Sequence, residues 1–264
     1  MVKLTFDAWI KNPTGSRPMM VQQREMAKAV YTDKYNKMML NSAGAMNYTL
    51  WKDPKGLRYL IFFTIPSEST QKVNYDVVIE FYTKDTIQTQ ENNLRNYYVK
   101  FFSNDPNFTF TFAYVYNKEG LIIQDLKKKL SSKSITERPK ITNPNKMIGW
   151  VKVFYFAYIY MKDHGLFNKL MWLNAYTNKI QLTECINKVM DAQKKLVQVQ
   201  SLKELHDSKK KPKIPNIGNT SDINSLAYKA KSTKNAEKTV RIVNTIASNN
   251  VKRTNTVKYS KRIK

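Results

Sequence analysis

Read with a period of two, the stretch FTFTFAYVY places Phe108, Phe110, Phe112, Tyr114 and Tyr116 on one side and Thr109, Thr111, Ala113 and Val115 on the other. Alternation in residues that favour a pleated surface predicts a strand. Residues 97–103 alternate in the same way. Between the two lies Ser103-Asn104-Asp105-Pro106-Asn107, where proline presets its backbone angle and Asn and Asp bond back to the chain, as in a tight turn. A hairpin is therefore predicted over 97–116. Strand patterns precede it at 46–52, 58–65 and 73–82, the first two joined by Asp53-Pro54-Lys55-Gly56, a hairpin signal. Short strands with turn-like connectors predict an antiparallel meander over about 46–117, since parallel crossovers would need intervening helices.

Helical patterns flank this region. Residues 18–40 open on Pro18, suited to a first turn, with Met19, Met26, Val30 and Met38 as a candidate buried stripe. After the meander, 121–130 reads as a short helix with a basic end, and 131–146 as a polar, proline-bearing connector. Residues 147–162 fit two periods: Trp150, Phe154, Tyr158 and Met161 suit a helix, and Val151, Val153, Tyr155, Ala157 and Ile159 suit a strand. Length and the helical context downstream favour the helix. Residues 166–176 read as another short helix. Residues 181–206 read as one long helix, with Leu182, Ile186, Val189, Leu196, Val199 and Leu202 near helical spacing. The expected class is α+β: an antiparallel β-meander packed against a leading helix and a C-terminal helical layer over 121–207, within a core of 1–207.

Charge changes the picture. The chain has 45 Lys and Arg against 20 Asp and Glu, a formal net charge of +25 in 264 residues. Such an excess attracts polyanions without regard to sequence: nucleic acid, an acidic membrane face or an acidic protein surface. A hydrophobic fraction of 42% is enough to bury a core. One cysteine, Cys185, excludes an internal disulfide framework, and two histidines, His164 and His206, leave little for zinc. Residues 1–10 lack an apolar signal core. The most apolar helical candidate, at 147–161, is shorter than the roughly twenty residues that span a bilayer. These features predict a soluble protein made in a reducing cytoplasm, with no membrane span.

From residue 208 onward, 15 Lys and Arg face only Asp222 and Glu237, a net of +13 and about half the charge of the whole chain. Pro212, Pro215 and Gly218 open an extended basic arm over 208–264. The arm is patterned. Ala236, Val240, Val243 and Ala247 fall on one face of a short helix, with Lys234, Lys238 and Arg241 largely off it. Beyond Asn250 the period becomes two: Val251, Val257, Tyr259 and Ile263 share a side with Arg253, Asn255 and Lys261, while the opposite side, including Lys252, Lys258 and Arg262, is polar or cationic. A helix this short is marginal alone, and a lone strand buries nothing. The arm is expected to order on a partner: its own core, a neighbouring subunit receiving a strand, or nucleic acid. The alternative is a frayed, solvated tail. Its candidate contacts to nucleic acid or an acidic partner are Lys209, Lys210, Lys211, Lys213, Lys234, Lys238, Arg241, Lys252, Arg253, Lys258, Lys261 and Arg262; its candidate subunit contacts are Val240, Val243, Val251, Val257, Tyr259 and Ile263.

Candidate chemistry is sparse. Asp76 and Glu80 lie four apart on a predicted strand and project from one face, where carboxylates and a lysine could hold Mg²⁺ for phosphodiester cleavage. The lysine that follows is Lys84, at the wrong spacing. The simpler reading leaves Asp76 and Glu80 on a solvated face while Val77, Ile79 and Phe81 face the core. No Gly-rich phosphate loop appears. Cys185 reads as a packed small side chain, and His164, ahead of Gly165, as a helix C-terminal residue. Tyr97, Tyr98 and Lys100 interleave aromatic and basic character in a way that could stack single-stranded bases, but core packing better explains the ladder from Phe108 to Tyr116. The sequence predicts no enzyme, no metal and no cofactor.

Three stretches, YDVVIEF (75–81), FFSNDPNFTFTFAYVY (101–116) and GWVKVFYFAYIYMKDHGLF (149–167), together resemble a type of tailed-bacteriophage virion protein. The Lys-, Asn-, Ile- and Tyr-rich composition suits an AT-rich phage genome. The resemblance covers about residues 1–170, leaves the arm outside and carries over no functional residue. It implies a structural part of the particle (minor capsid, head–tail neck or tail) near packaged double-stranded DNA. Such a protein would be located in the virion, and in the host cytoplasm during assembly, with other virion subunits as partners in a homo-oligomer or hetero-assembly. The competing expectation is a nucleic-acid-binding protein of phage replication or packaging. The arm's alternating apolar positions favour the structural role, because phosphate has no use for them.

Overall fold

The Asp53-Pro54-Lys55-Gly56 turn forms as its residues require. The Lys55 amide donates to Asp53 Oδ2 at 3.0 Å, and the Asp53 amide closes onto Arg58 O at 2.8 Å. Gly56 takes a φ of +69°, open to glycine at little cost. The turn joins β1 (Asn47–Lys52) to β2 (Arg58–Pro66), and β3 (Asn74–Tyr82) and β4 (Tyr98–Ser103) follow. All neighbours are antiparallel, in the order β1-β2-β3-β4, with Leu50 opposite Ile61, Phe62 opposite Val78 and Val78 opposite Phe102. The α+β class and the meander are as the sequence predicts. The computed structural model describes residues 3–11, 21–41, 46–67, 72–84, 86–143, 146, 148–149 and 151–210, with backbone alone for 21–27, 41 and 206–210. The residues Met1–His206 belong to one compact unit.

The middle of the sheet is covered on both faces, so Val77 through Phe81 form an unbroken buried run, while Tyr82 and Tyr98 at its end are half-buried. On one face, Phe81 and Phe101 meet the rings of Phe6 and Trp9 from α1 (Phe6–Lys11), Phe154 from α5 (Lys152–Asp163), and Phe167. α5 is the segment that fits two periods, and its surroundings explain why. It lies between the sheet and α2 (Val21–Asn41), whose Tyr31 and Tyr35 meet Tyr155 and Phe156. Burial on more than one side erases a single stripe. α2 buries Tyr35 and Met38, whereas Val30, expected in the stripe, is 51% exposed; Met19 and the Met26 side chain lie outside the described residues.

The largest departure from the sequence reading is FTFTFAYVY. The expected second strand is helical: Pro106 opens it, Phe108–Phe112 is a π-turn and α3 (Ala113–Lys118) follows. Asp105 Oδ1 accepts the Asn107 amide at 2.8 Å and Asp105 O accepts the Thr109 amide at 3.0 Å. Asp-Pro is thus an N-cap followed by a first-turn proline, not a hairpin turn. Phe108 and Tyr116 are fully buried, with ring centroids 5.4 and 6.5 Å from Phe154, while Phe110 is exposed. These rings pack as expected, but at helical spacing.

The helical layer is also more broken than predicted. Residues 121–130 contain a 3₁₀ turn, Gln124–Lys129, and the connector contains α4 (Ser132–Thr136), capped by Ser131. The single helix expected over 181–206 is two, α6 (Lys179–Lys188) and α7 (Ala192–Lys210). No Pro or Gly divides them; tertiary contacts do. Asp76 Oδ2 accepts the Met190 amide at 2.9 Å, Asn104 Nδ2 donates to Met190 O at 3.1 Å, and Lys129 Nζ donates to Val189 O at 2.6 Å. Backbone groups that a continuous helix would pair internally are taken by the sheet. α7 continues through Lys210, so Ser208 to Lys210, expected in the arm, have helical backbone.

Candidate interaction surface

The carboxylates that the sequence offers as a metal pair are not on a solvated face. Glu80 is buried and accepts from Arg58 Nε at 2.7 Å; the same guanidinium reaches Asp125 Oδ2 at 2.5 Å. Burial opposes the Arg58 charge, but the two carboxylates outweigh it and hold the guanidinium protonated more firmly than usual. Asp76 is half-buried and held by Asn104 and Met190. Asp76 ties the sheet to the link between α6 and α7, and Glu80 pairs with Arg58 of β2, which in turn reaches Asp125. Among the described residues, no three His, Cys, Asp or Glu gather as a metal site, and no helix is long and apolar enough to cross a membrane. Cys185 is buried in α6, which pushes its thiol up. His164 ends α5, its ring stacked on Tyr160 at 3.8 Å, ahead of Gly165 at φ +64°.

The surface that stands out is one the sequence reading took for a short helix. Residues 166–178 run as a strap from the segment between β3 and β4 across to β1, with a single 3₁₀ turn, Lys169–Trp172. The first part is held antiparallel to residues 92–94: the Leu94 amide donates to Phe167 O at 2.8 Å and the Lys169 amide to Asn92 O at 3.0 Å. The last part lies parallel to β1, where Tyr176 N and O bond Leu50 O and the Lys52 amide at 2.9 and 2.8 Å. Trp172 anchors the middle. It is fully buried, donates from Nε1 to Leu166 O at 2.8 Å and meets the Tyr59 ring edge-on at 5.4 Å.

Lys169 fixes the strap's back. Its Nζ donates to Thr89 O at 2.9 Å and sits 4.8 Å from the Tyr97 ring centroid and 5.7 Å from that of Tyr59. Burial lowers its ammonium pKa, with Glu91 opposing. The ammonium faces two rings and two carbonyls, an arrangement that holds a cation in place rather than presenting it to solvent.

The strap's front is apolar and exposed: Leu170 at 57%, Met171 at 51% and Leu173 at 70%, followed by exposed Tyr176 and Ile180. Beyond Tyr176 the chain forms one wall of a cleft of about 800 Å³, between the β1–β2 turn and the start of α6. Trp51, Pro54, Leu182 and Ile186 give this cleft an apolar lining, and Asp53, Arg58, Asp125 and Lys179 a charged one. Asn178 caps α6 by accepting the Gln181 amide at 2.8 Å, and its carbonyl accepts Trp51 Nε1 at 2.9 Å. Contiguous exposed apolar side chains on a held backbone are a feature of interaction surfaces. The signal was present in LFNKLMWLNAY, which carries more apolar residues than one helix face can bury.

None of the arm's candidate contacts can be placed with these elements. Lys209 and Lys210 end α7 with backbone alone described. Lys211, Lys213, Lys234, Lys238, Arg241, Lys252, Arg253, Lys258, Lys261 and Arg262 lie outside the described residues, as do Val240, Val243, Val251, Val257, Tyr259 and Ile263. Set beside protein-family models, characterised proteins and solved structures, the chain matches none of them.

Proposed function

We propose that this chain is a non-enzymatic structural component of a tailed-phage particle, in its minor capsid, head–tail neck or tail, that assembles with other virion subunits and lies near packaged DNA. The observation that carries the assembly reading is the strap: three large apolar side chains held outward on a backbone clamped from both sides. Such a surface is preorganised, so association need not order it first. The resemblance of residues 1–170 to a virion protein and the net charge of +25 support the placement near DNA.

The nearest partner to test is a second copy, because soluble oligomers are mostly homo-oligomers. Light scattering on the full chain should give a mass that rises with concentration above the 30.9 kDa of one chain. Leu170→Glu with Leu173→Glu should hold it at one chain without loss of stability, since both side chains are exposed. One-chain mass for the parent at every concentration would count against self-assembly at the strap.

A second reading, a nucleic-acid-binding protein of replication or packaging, is favoured by the arm's net +13. It predicts binding to double-stranded DNA with a log–log salt slope of about −0.9 per phosphate neutralised. That slope should collapse in a chain ending at Lys210. Weak binding by both chains would instead leave the arm as a protein clamp.

A further inference from the structure

The end of the sheet farthest from Asp76 carries a cluster that the strap does not use. Tyr82, near the end of β3, pairs with Tyr98 at the start of β4, and Glu80 pairs with Lys100. Side chains two apart on a strand share a face, so these four project together. The two tyrosine rings are neighbours, centroids 5.8 Å apart with planes inclined by 50°, and both are half-buried. Lys100 Nζ sits 4.7 Å from the Tyr82 centroid and Lys3 Nζ 5.4 Å from that of Tyr98. Lys84, exposed, follows two residues beyond Tyr82.

Arg58 engages both Glu80 and Asp125 and offsets one of their two charges, so positive charge still predominates beside Lys3, Lys84 and Lys100. Two lysines, Lys3 and Lys100, thus sit over two aromatic rings on a strand pair, with Lys84 just beyond the end of β3, within a chain of net charge +25.

We propose that Tyr82 and Tyr98 form a stacking platform for single-stranded nucleic acid. Successive bases lie on the two rings, and Lys3, Lys84 and Lys100 take the phosphates. An ammonium over a half-buried ring is a modest contact, and a stacked base is a stronger one, so the base displaces Lys3 and Lys100 from the rings toward the backbone. Duplex DNA hides its base faces and has no use for the rings. The platform is independent of self-association at the strap, so either can fail alone.

The test is fluorescence anisotropy of a labelled oligothymidylate, and of a labelled duplex of equal length, titrated with the full chain. Tyr82→Ala and Tyr98→Ala should each weaken single-strand binding by roughly tenfold. Tyr82→Phe and Tyr98→Phe, which keep an aromatic face, should retain it. Duplex affinity and its salt slope should not move, because no charge is removed. Unchanged single-strand affinity in the alanine variants, or an equal loss for duplex, would overturn the platform. Where an alanine variant does not fold, Tyr98→Leu keeps the bulk without the π-face, and the same two outcomes decide.

Discussion

Replacing Asn104 with alanine removes the side chain that joins the sheet to the link between α6 and α7. Asn104 is fully buried; its Nδ2 donates to Asp76 Oδ2 at 2.7 Å and to Met190 O at 3.1 Å, and its Oδ1 accepts the Asp76 amide at 2.9 Å. The hydrogen bond to the carboxylate contributes roughly 1.5–3 kcal/mol, and each group left without a partner costs roughly 1–3 kcal/mol where water cannot reach it. Asp76 and Met190 are half-buried, so water recovers part of this. The expected loss is about 3–4 kcal/mol. Urea unfolding of the full chain, followed by circular dichroism, should show a lower midpoint at an unchanged slope. The melting temperature should fall by roughly 10 °C for a domain of this size. Asp76→Asn, which keeps the shape and loses the charge, should cost less. A loss below about 1 kcal/mol for Asn104→Ala would refute the idea that tertiary capture of Met190 divides the helix.

Other predictions follow from single contacts. Burial raises the Asp105 carboxyl above its ordinary value, against the Asn107 amide and Lys152. The folded chain therefore binds that proton more tightly than the unfolded one, and stability falls as pH rises from the ordinary carboxylate range through the raised value. Asp105→Asn keeps an acceptor for the Asn107 amide and should remove that slope; superimposable pH profiles would contradict it. A Cβ on Gly149 would sit 2.7 Å from Phe112 Cε1, so Gly149→Ala should displace that ring and cost about 1–3 kcal/mol in urea unfolding. Trp172→Ala should cost about 3–5 kcal/mol and make residues 166–178 the first site of limited proteolysis.

The meander was legible because its signals are local. Asp53-Pro54-Lys55-Gly56 states its own turn, and each strand is a short run of β-branched and aromatic residues bounded by turn residues. FTFTFAYVY misled because Phe108, Phe112 and Tyr116 satisfy a period of two and a spacing of four at once. Asp105-Pro106 held the deciding information, as an N-cap with its first-turn proline, but the same dipeptide also suits a turn. The break at Val189-Met190 could not be read locally: Asp76, Asn104 and Lys129, which impose it, are 114, 86 and 60 residues away from the groups they bind. Glu80 was expected in solvent because alternation was taken to mean one covered face; here Arg58 and Asp125 cover the second. The strap was passed over for a related reason. Its apolar residues suit a helix face, whereas its backbone pairs with residues 92–94 at one end and with β1 at the other and leaves Leu170, Met171 and Leu173 outside.

Whether the strap is the assembly face can be read from its own methionine. Met171 is 51% exposed, while Met38 and Met161, at 7% and 0%, are internal references. Brief peroxide oxidation followed by peptide mass spectrometry would be run across a range of chain concentrations, with mass measured in parallel. Met171 should oxidise readily when dilute and become protected as mass rises, with Met38 and Met161 protected throughout. A mass that rises while Met171 stays fully reactive would contradict this and move the interface elsewhere on the chain.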